Sequence, residues 1–212
     1  MRKITINLAA VAAFCIVVAS PALVSSSCAT PQTEQEDTTI IREDLGITAL
    51  KYSSPEVPSS IEFCGKVIDL SRFDRHERMD RELLAFTYMH STSLQMLKKA
   101  NRYFPIVEPI LKENGIPDDF KYLMVIESNM NPTARSSAGA AGLWQFMQGT
   151  GRDYGLEVNN NVDERYHIEK ATRAACRYLK DAYAKYKDWV AVAASYNAGQ
   201  ARIASQLAKQ DV

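Results

Sequence analysis

The sequence predicts an all-α protein, with a disordered tether and an N-terminal helical extension ahead of the main domain. Two observations carry this. From Leu83 onward apolar residues recur at intervals of three and four, and no stretch sustains the two-residue alternation of a half-buried strand. The chain's 212 residues, 46% of them hydrophobic, are also enough for one well-buried core and too few for a second large domain.

The N-terminal elements come first. Arg2 and Lys3 precede the apolar run Leu8 to Val18, which has the charge and length of a signal peptide and is too short for a good membrane span. Cleavage after Ala22 would use Ser20 and Ala22 as the small residues. Cleavage before Cys28, behind Ser25, Ser26 and Ser27, would instead give a lipoprotein anchored to a membrane through Cys28, although the leucine usual three places ahead of such a cysteine is absent. Both placements stay open, and both imply export to the periplasm. Residues 28–60 are rich in Thr, Ser, Pro, Gln and Glu and are expected to be a flexible linker. Ile61 to Leu70 alternates briefly, but Gly65 and its short length argue against an isolated strand, so no β-sheet is expected.

Helices follow. One is expected across Leu83, Leu84, Phe86, Met89, Leu94 and Leu97, completing an N-terminal helical extension over 61–102. The main domain, 103–212, opens with a helix from Phe104 to Asn114 that stops at Gly115, and Pro117 and Asp118 start the next. There Phe120, Leu123, Met124 and Glu127 stand at i, i+3, i+4 and i+7, which puts a carboxylate on an apolar stripe. Asn131 to Gly142 is small and turn-forming, Leu143 to Thr150 reads as a short helix, and a polar loop surrounds Asn159 to Asn161. Ile168, Ala171, Thr172, Ala175, Leu179, Ala182 and Tyr186 mark a long amphipathic helix. Trp189, Val192, Ala193 and Tyr196 mark the last one.

Composition excludes several functions. Acidic and basic residues number 25 each, so neither nucleic acid nor an anionic membrane surface is a general partner, and any ligand is recognised locally. Cys15, Cys28, Cys64 and Cys176 have no zinc-site spacing, and His76, His90 and His167 are scattered, so no metal or cofactor is expected. Cys64 and Cys176 either pair or stay apart as small apolar groups.

A buried Glu127 without a cationic partner would have a raised pKa and could deliver a proton near neutral pH, as a general acid at a glycosidic bond must. Spacing alone equally allows a solvated residue at a helix end. The run IPDDFKYLMVIESNMNPTARSSAGAAGLWQFMQGTGRDYGL, Ile116 to Leu156, closely resembles the first signature of the family 1 lytic transglycosylases, the SLT-domain family. DERYHIEKATRAACRYLKDAY, Asp163 to Tyr183, and SYNAG, Ser195 to Gly199, resemble its later helix and closing tyrosine motif. Glu62 to Arg102 is similar to the region preceding the catalytic domain in a membrane-bound branch of that family.

The resemblance implies a lysozyme-like fold acting on peptidoglycan glycan strands. Glu127 would be the acid and then the base, taking a proton from the muramic acid 6-hydroxyl so that a 1,6-anhydro ring closes without water. No partner acid stands near Glu127 in sequence, whereas ordinary glycosidases use two. Positions matching the family's glycan contacts are Ser136, Gly142, Gln145, Met147, Tyr196 and Asn197. Gly139 and Gly142 could let backbone approach a sugar, and Gln145 and Asn197 offer amide groups. Met147, Tyr196, Trp144 and Trp189 also read as packing residues. The resemblance further implies a closing helix with an aromatic residue after the tyrosine motif, which is missing before Val212, so the domain is expected to lack its C-terminal end. A lysozyme-type hydrolase and a non-catalytic peptidoglycan-binding protein are the alternatives.

Overall fold

A computed structural model describes residues 55–209. The leader, Cys28 and most of the expected linker lie outside the described residues. An antiparallel hairpin comes first, β1 (Ser60–Phe63) paired with β2 (Lys66–Asp69). The expectation of no sheet is therefore corrected. Gly65 ends no strand but, with Cys64, makes the two-residue turn, and φ is positive at both (52° and 79°), as a tight hairpin turn requires.

Seven α-helices follow among the described residues: α1 (Phe73–Tyr88), α2 (His90–Glu113), α3 (Lys121–Ser128), α4 (Gln148–Asp153), α5 (Ile168–Tyr186), α6 (Trp189–Ala198) and α7 (Gln200–Lys209). Single 3-10 turns precede α3 (Asp118–Phe120) and α5 (Glu164–Tyr166). The single helix expected from Leu83 to Leu97 is two, broken at Met89. The helix expected to begin at Phe104 is the second half of α2, which runs through Pro105 and Pro109. Both prolines lie on the exposed face, where the carbonyls they leave unpaired can meet water.

Helix ends follow local chemistry. The Asp188 side chain accepts from the Val190 amide at 2.9 Å and starts α6, while Lys187 (φ 55°) and Gly199 (φ 84°) turn the chain out of α5 and α6. One more helix, α7, follows the tyrosine motif.

The core joins α2, α3, α5, α6 and the loop after α3. Phe104, Leu111, Phe120, Leu123, Met124, Met130, Trp144 and Leu179 are all fully enclosed. Each such side chain contributes roughly 1.5–3 kcal/mol by leaving water. The hairpin belongs to the same core: Phe63 packs on Phe120 with ring centroids 5.9 Å apart, the Cys64 amide donates to Asp119 at 2.7 Å, and Lys66 pairs with Asp188 at 3.0 Å. Cys64 and Cys176 are both free thiols. No helix among the described residues is long and apolar enough to cross a membrane.

Candidate active site

Glu127 is the penultimate residue of α3, and the stripe beneath it, Phe120, Leu123 and Met124, is fully buried. Its carboxyl is only partly exposed, and no cation or hydrogen-bond donor pairs with it among the described residues. Burial alone pushes it up from the ordinary 4.5 to about 7. Its place at the C-terminal end of a helix, where partial negative charge gathers, works in the same direction. Ser128, next in the chain, is used locally: its hydroxyl donates to the Met124 carbonyl at 3.1 Å.

Tyr196 on α6 lies close enough to Glu127 for the carboxylate's charge to matter. The phenol is held well above its usual range, first by burial and then by Glu127. Its hydroxyl donates to the Trp144 carbonyl at 2.7 Å, so its proton serves the loop after α3. The ring packs against Phe146 and Tyr178, with centroids at 6.4 and 5.1 Å.

That loop carries most of the remaining candidates. Gln145 is in a turn with φ 47°, and the helix expected over Leu143 to Thr150 begins only at Gln148. The Gln145 amide nitrogen donates to the carbonyls of Gly142 (2.8 Å) and Ala134 (3.3 Å), which directs its oxygen elsewhere. Exposed Ser136 accepts from the Ala140 amide through its hydroxyl at 3.0 Å. Gly142 (φ 77°) is buried, and a β-carbon there would overlap the Arg165 carbonyl oxygen and come within 2.8 Å of its carbon. The close approach that Gly142 permits is thus internal, while Gly139 (φ 90°) faces open space. Met147, read as possible core, is 45% exposed, and Asn197 is exposed as well. Trp144 is sealed in the core with its indole N–H donating to Thr172 at 2.9 Å. Trp189 stacks on Tyr183 at 4.1 Å. Both tryptophans are packing residues.

Sequence reasoning missed Asp163 and Arg165. Arg165 is 2% exposed and forms a forked ion pair with Asp163, Nε to Oδ1 at 2.9 Å and Nη2 to Oδ2 at 2.7 Å. Its Nη1 donates to the carbonyls of Gly139 (2.8 Å) and Phe146 (3.0 Å). A charge pair two residues apart in a polar stretch reads as a solvated turn, and only the glycine at 142 hinted at a close neighbour.

Fold and site together define an all-α domain built around one desolvated, unpaired carboxylic acid beside a tightly stapled loop. The chain belongs to the Transglycosylase SLT domain family, whose family model matches residues 105–211, and the lysozyme-like fold expected for that family is the one found. It is similar to the membrane-bound lytic murein transglycosylase D of Escherichia coli strain K12, 31% identical over 128 residues, or 60% of this chain and 27% of the relative. The protein of that name in E. coli O6:H1 (strain CFT073 / ATCC 700928 / UPEC) matches equally, and the peptidoglycan transglycosylase gp16 of Escherichia phage T7 is 33% identical over 93 residues, 42% of this chain and 7% of that protein. The chain thus spans about a quarter of the length of the E. coli relatives it matches.

Proposed function

We propose that this chain is a peptidoglycan lytic transglycosylase cleaving the β-1,4 bond between N-acetylmuramic acid and N-acetylglucosamine, with Glu127 as its acid and base. The observation that carries the reading is the burial of Glu127 with no counter-charge among the described residues, which raises its pKa to about 7 and so leaves a substantial share of the carboxyl protonated at neutral pH. Glu127 gives that proton to the bridging oxygen as the bond from muramic acid C1 breaks. The resulting carboxylate then takes the proton of the same sugar's 6-hydroxyl as O6 bonds to C1, closing a 1,6-anhydro ring and restoring the acid. No second carboxylate and no water are consumed, in keeping with an acid that has no ionised neighbour paired to it.

Ser136, Gly142, Gln145, Met147, Tyr196 and Asn197 form the proposed glycan contacts. The free oxygen of Gln145 and the exposed amide of Asn197 suit sugar hydroxyl and acetamido groups. Export by the leader, with tethering through Cys28, would place the enzyme against the wall in the periplasm, and relatives named as membrane-bound accord with this.

Mass analysis of products from purified peptidoglycan tests the reading. Anhydro ends are expected from the native protein and none from Glu127→Gln. Reducing ends alone would show a hydrolase on this fold, and retention on sacculi without any product would show a binding protein.

A further inference from the structure

We propose that Arg165, clamped by Asp163, is a positioning residue that sets the place of the loop 134–146 relative to Glu127. The inference rests on the reading of Glu127 as the acid. Three features converge on Arg165. Its guanidinium ties together the Gly139 and Phe146 carbonyls, at two separate points of the loop. Its own carbonyl fills the space that a side chain at Gly142 would occupy. Its Nε and Nη2 donate to the two oxygens of Asp163, so the fork cannot swing. The loop positioned in this way presents Ser136 and Gln145, and its Trp144 carbonyl accepts the hydroxyl of Tyr196, whose phenol feels the charge of Glu127. Asp163, Arg165, the loop and Tyr196 thus form one continuous chain of contacts, and its last member lies within electrostatic reach of Glu127. A lysine in place of Arg165 keeps the charge but cannot bridge two carbonyls and a carboxylate at once.

The test compares native protein, Arg165→Lys and Met79→Ala, the last a core truncation in the separate cluster beneath the hairpin and α1. Two quantities are read well below the unfolding temperature: steady-state kinetics on a soluble glycan fragment, and hydrogen exchange at the loop amides Ala141, Gly142 and Phe146, all bonded within the loop. For Arg165→Lys, KM should rise and kcat/KM fall by between about tenfold and 100-fold, as a misplaced contact loop predicts. The loop amides should lose protection while those of α5 keep it. Met79→Ala should leave KM unchanged and should not lower the protection of the loop amides relative to those of α5, because loss of overall stability lowers protection throughout the domain rather than at the loop alone.

Should Arg165→Lys fail to fold, Asp163→Asn, which keeps the guanidinium and removes the charge that clamps it, reads the same quantities. Loop amides as protected as in the native protein, or an unchanged KM, would overturn the inference. If the native protein itself releases no product, the reading of Glu127 fails, while the exchange comparison still decides whether Arg165 staples the loop.

Discussion

The C-terminal end of α3 and the turn holding Asp163 to Tyr166 each withdraw a carboxyl group from water, and they treat it in opposite ways. Glu127 has no hydrogen-bond or ionic partner among the described residues, and burial pushes its pKa up to about 7. Asp163 meets a guanidinium in a forked pair, and Arg165's hydrogen bonds hold its carboxyl below the usual range. The paired group becomes structure and the unpaired one keeps a movable proton. Asp163 holds the arginine that ties the Gly139 and Phe146 carbonyls together, whereas Glu127 ties nothing down.

Removing the proton of Glu127 should have the largest effect. Glu127→Gln should lower turnover by at least 10²–10⁴-fold, roughly the worth of a general acid, in an assay of anhydro-product release. Folding should respond in the other direction. A raised carboxyl binds protons more tightly folded than unfolded, so native stability falls as pH rises from 4.5 through about 7. Above pH 7 the glutamine variant should therefore be the more stable, by about 1–3 kcal/mol after allowing for partial exposure, in denaturant titrations at pH 5 and pH 8.

Asp163→Asn attacks the other half of the comparison. It leaves the buried Arg165 charge uncompensated and should cost about 2–4 kcal/mol, less than a fully enclosed pair because the Asp163 side chain keeps 25% of its surface exposed. Its pH signature is reversed. The pair's contribution is present above the ordinary 3.8 of an aspartate and is lost as pH falls through the lowered folded value. Gly142→Ala forces a β-carbon onto the Arg165 carbonyl at φ 77° and should cost about 1–3 kcal/mol, seen as a lower Tm. Tyr196→Phe leaves the Trp144 carbonyl without its donor and should cost about 1 kcal/mol, with a smaller loss of turnover than Glu127→Gln. Smallest of all, Arg173→Ala breaks an exposed pair with Glu113 and should change the Tm by no measurable amount.

The helices that carry the site were legible where periodicity and end signals agreed. The apolar stripe of α5, the Trp189 to Tyr196 pattern of α6 and the Phe120 to Glu127 stripe all stand where the spacing put them. The break at Met89 was not legible, since neither glycine nor proline marks it. The continuity of α2 upstream of Phe104 was not legible either, because local sequence does not reveal that the carbonyls opposite Pro105 and Pro109 face solvent. The proposed role of Glu127 rests on resemblance, while its burial came from the fold. The Arg165 staple joins residues far apart in the chain, and no local pattern encodes it.

The hairpin has a practical consequence for anyone trimming the gene. Phe63 fits a socket against Phe120, at the foot of the stripe that supports Glu127, and it lies well ahead of residue 105, where the family match begins inside α2. A recombinant piece started at that boundary would saw α2 in half and leave the socket wet. Failure of such a fragment would report on a missing wedge and say nothing about the acid.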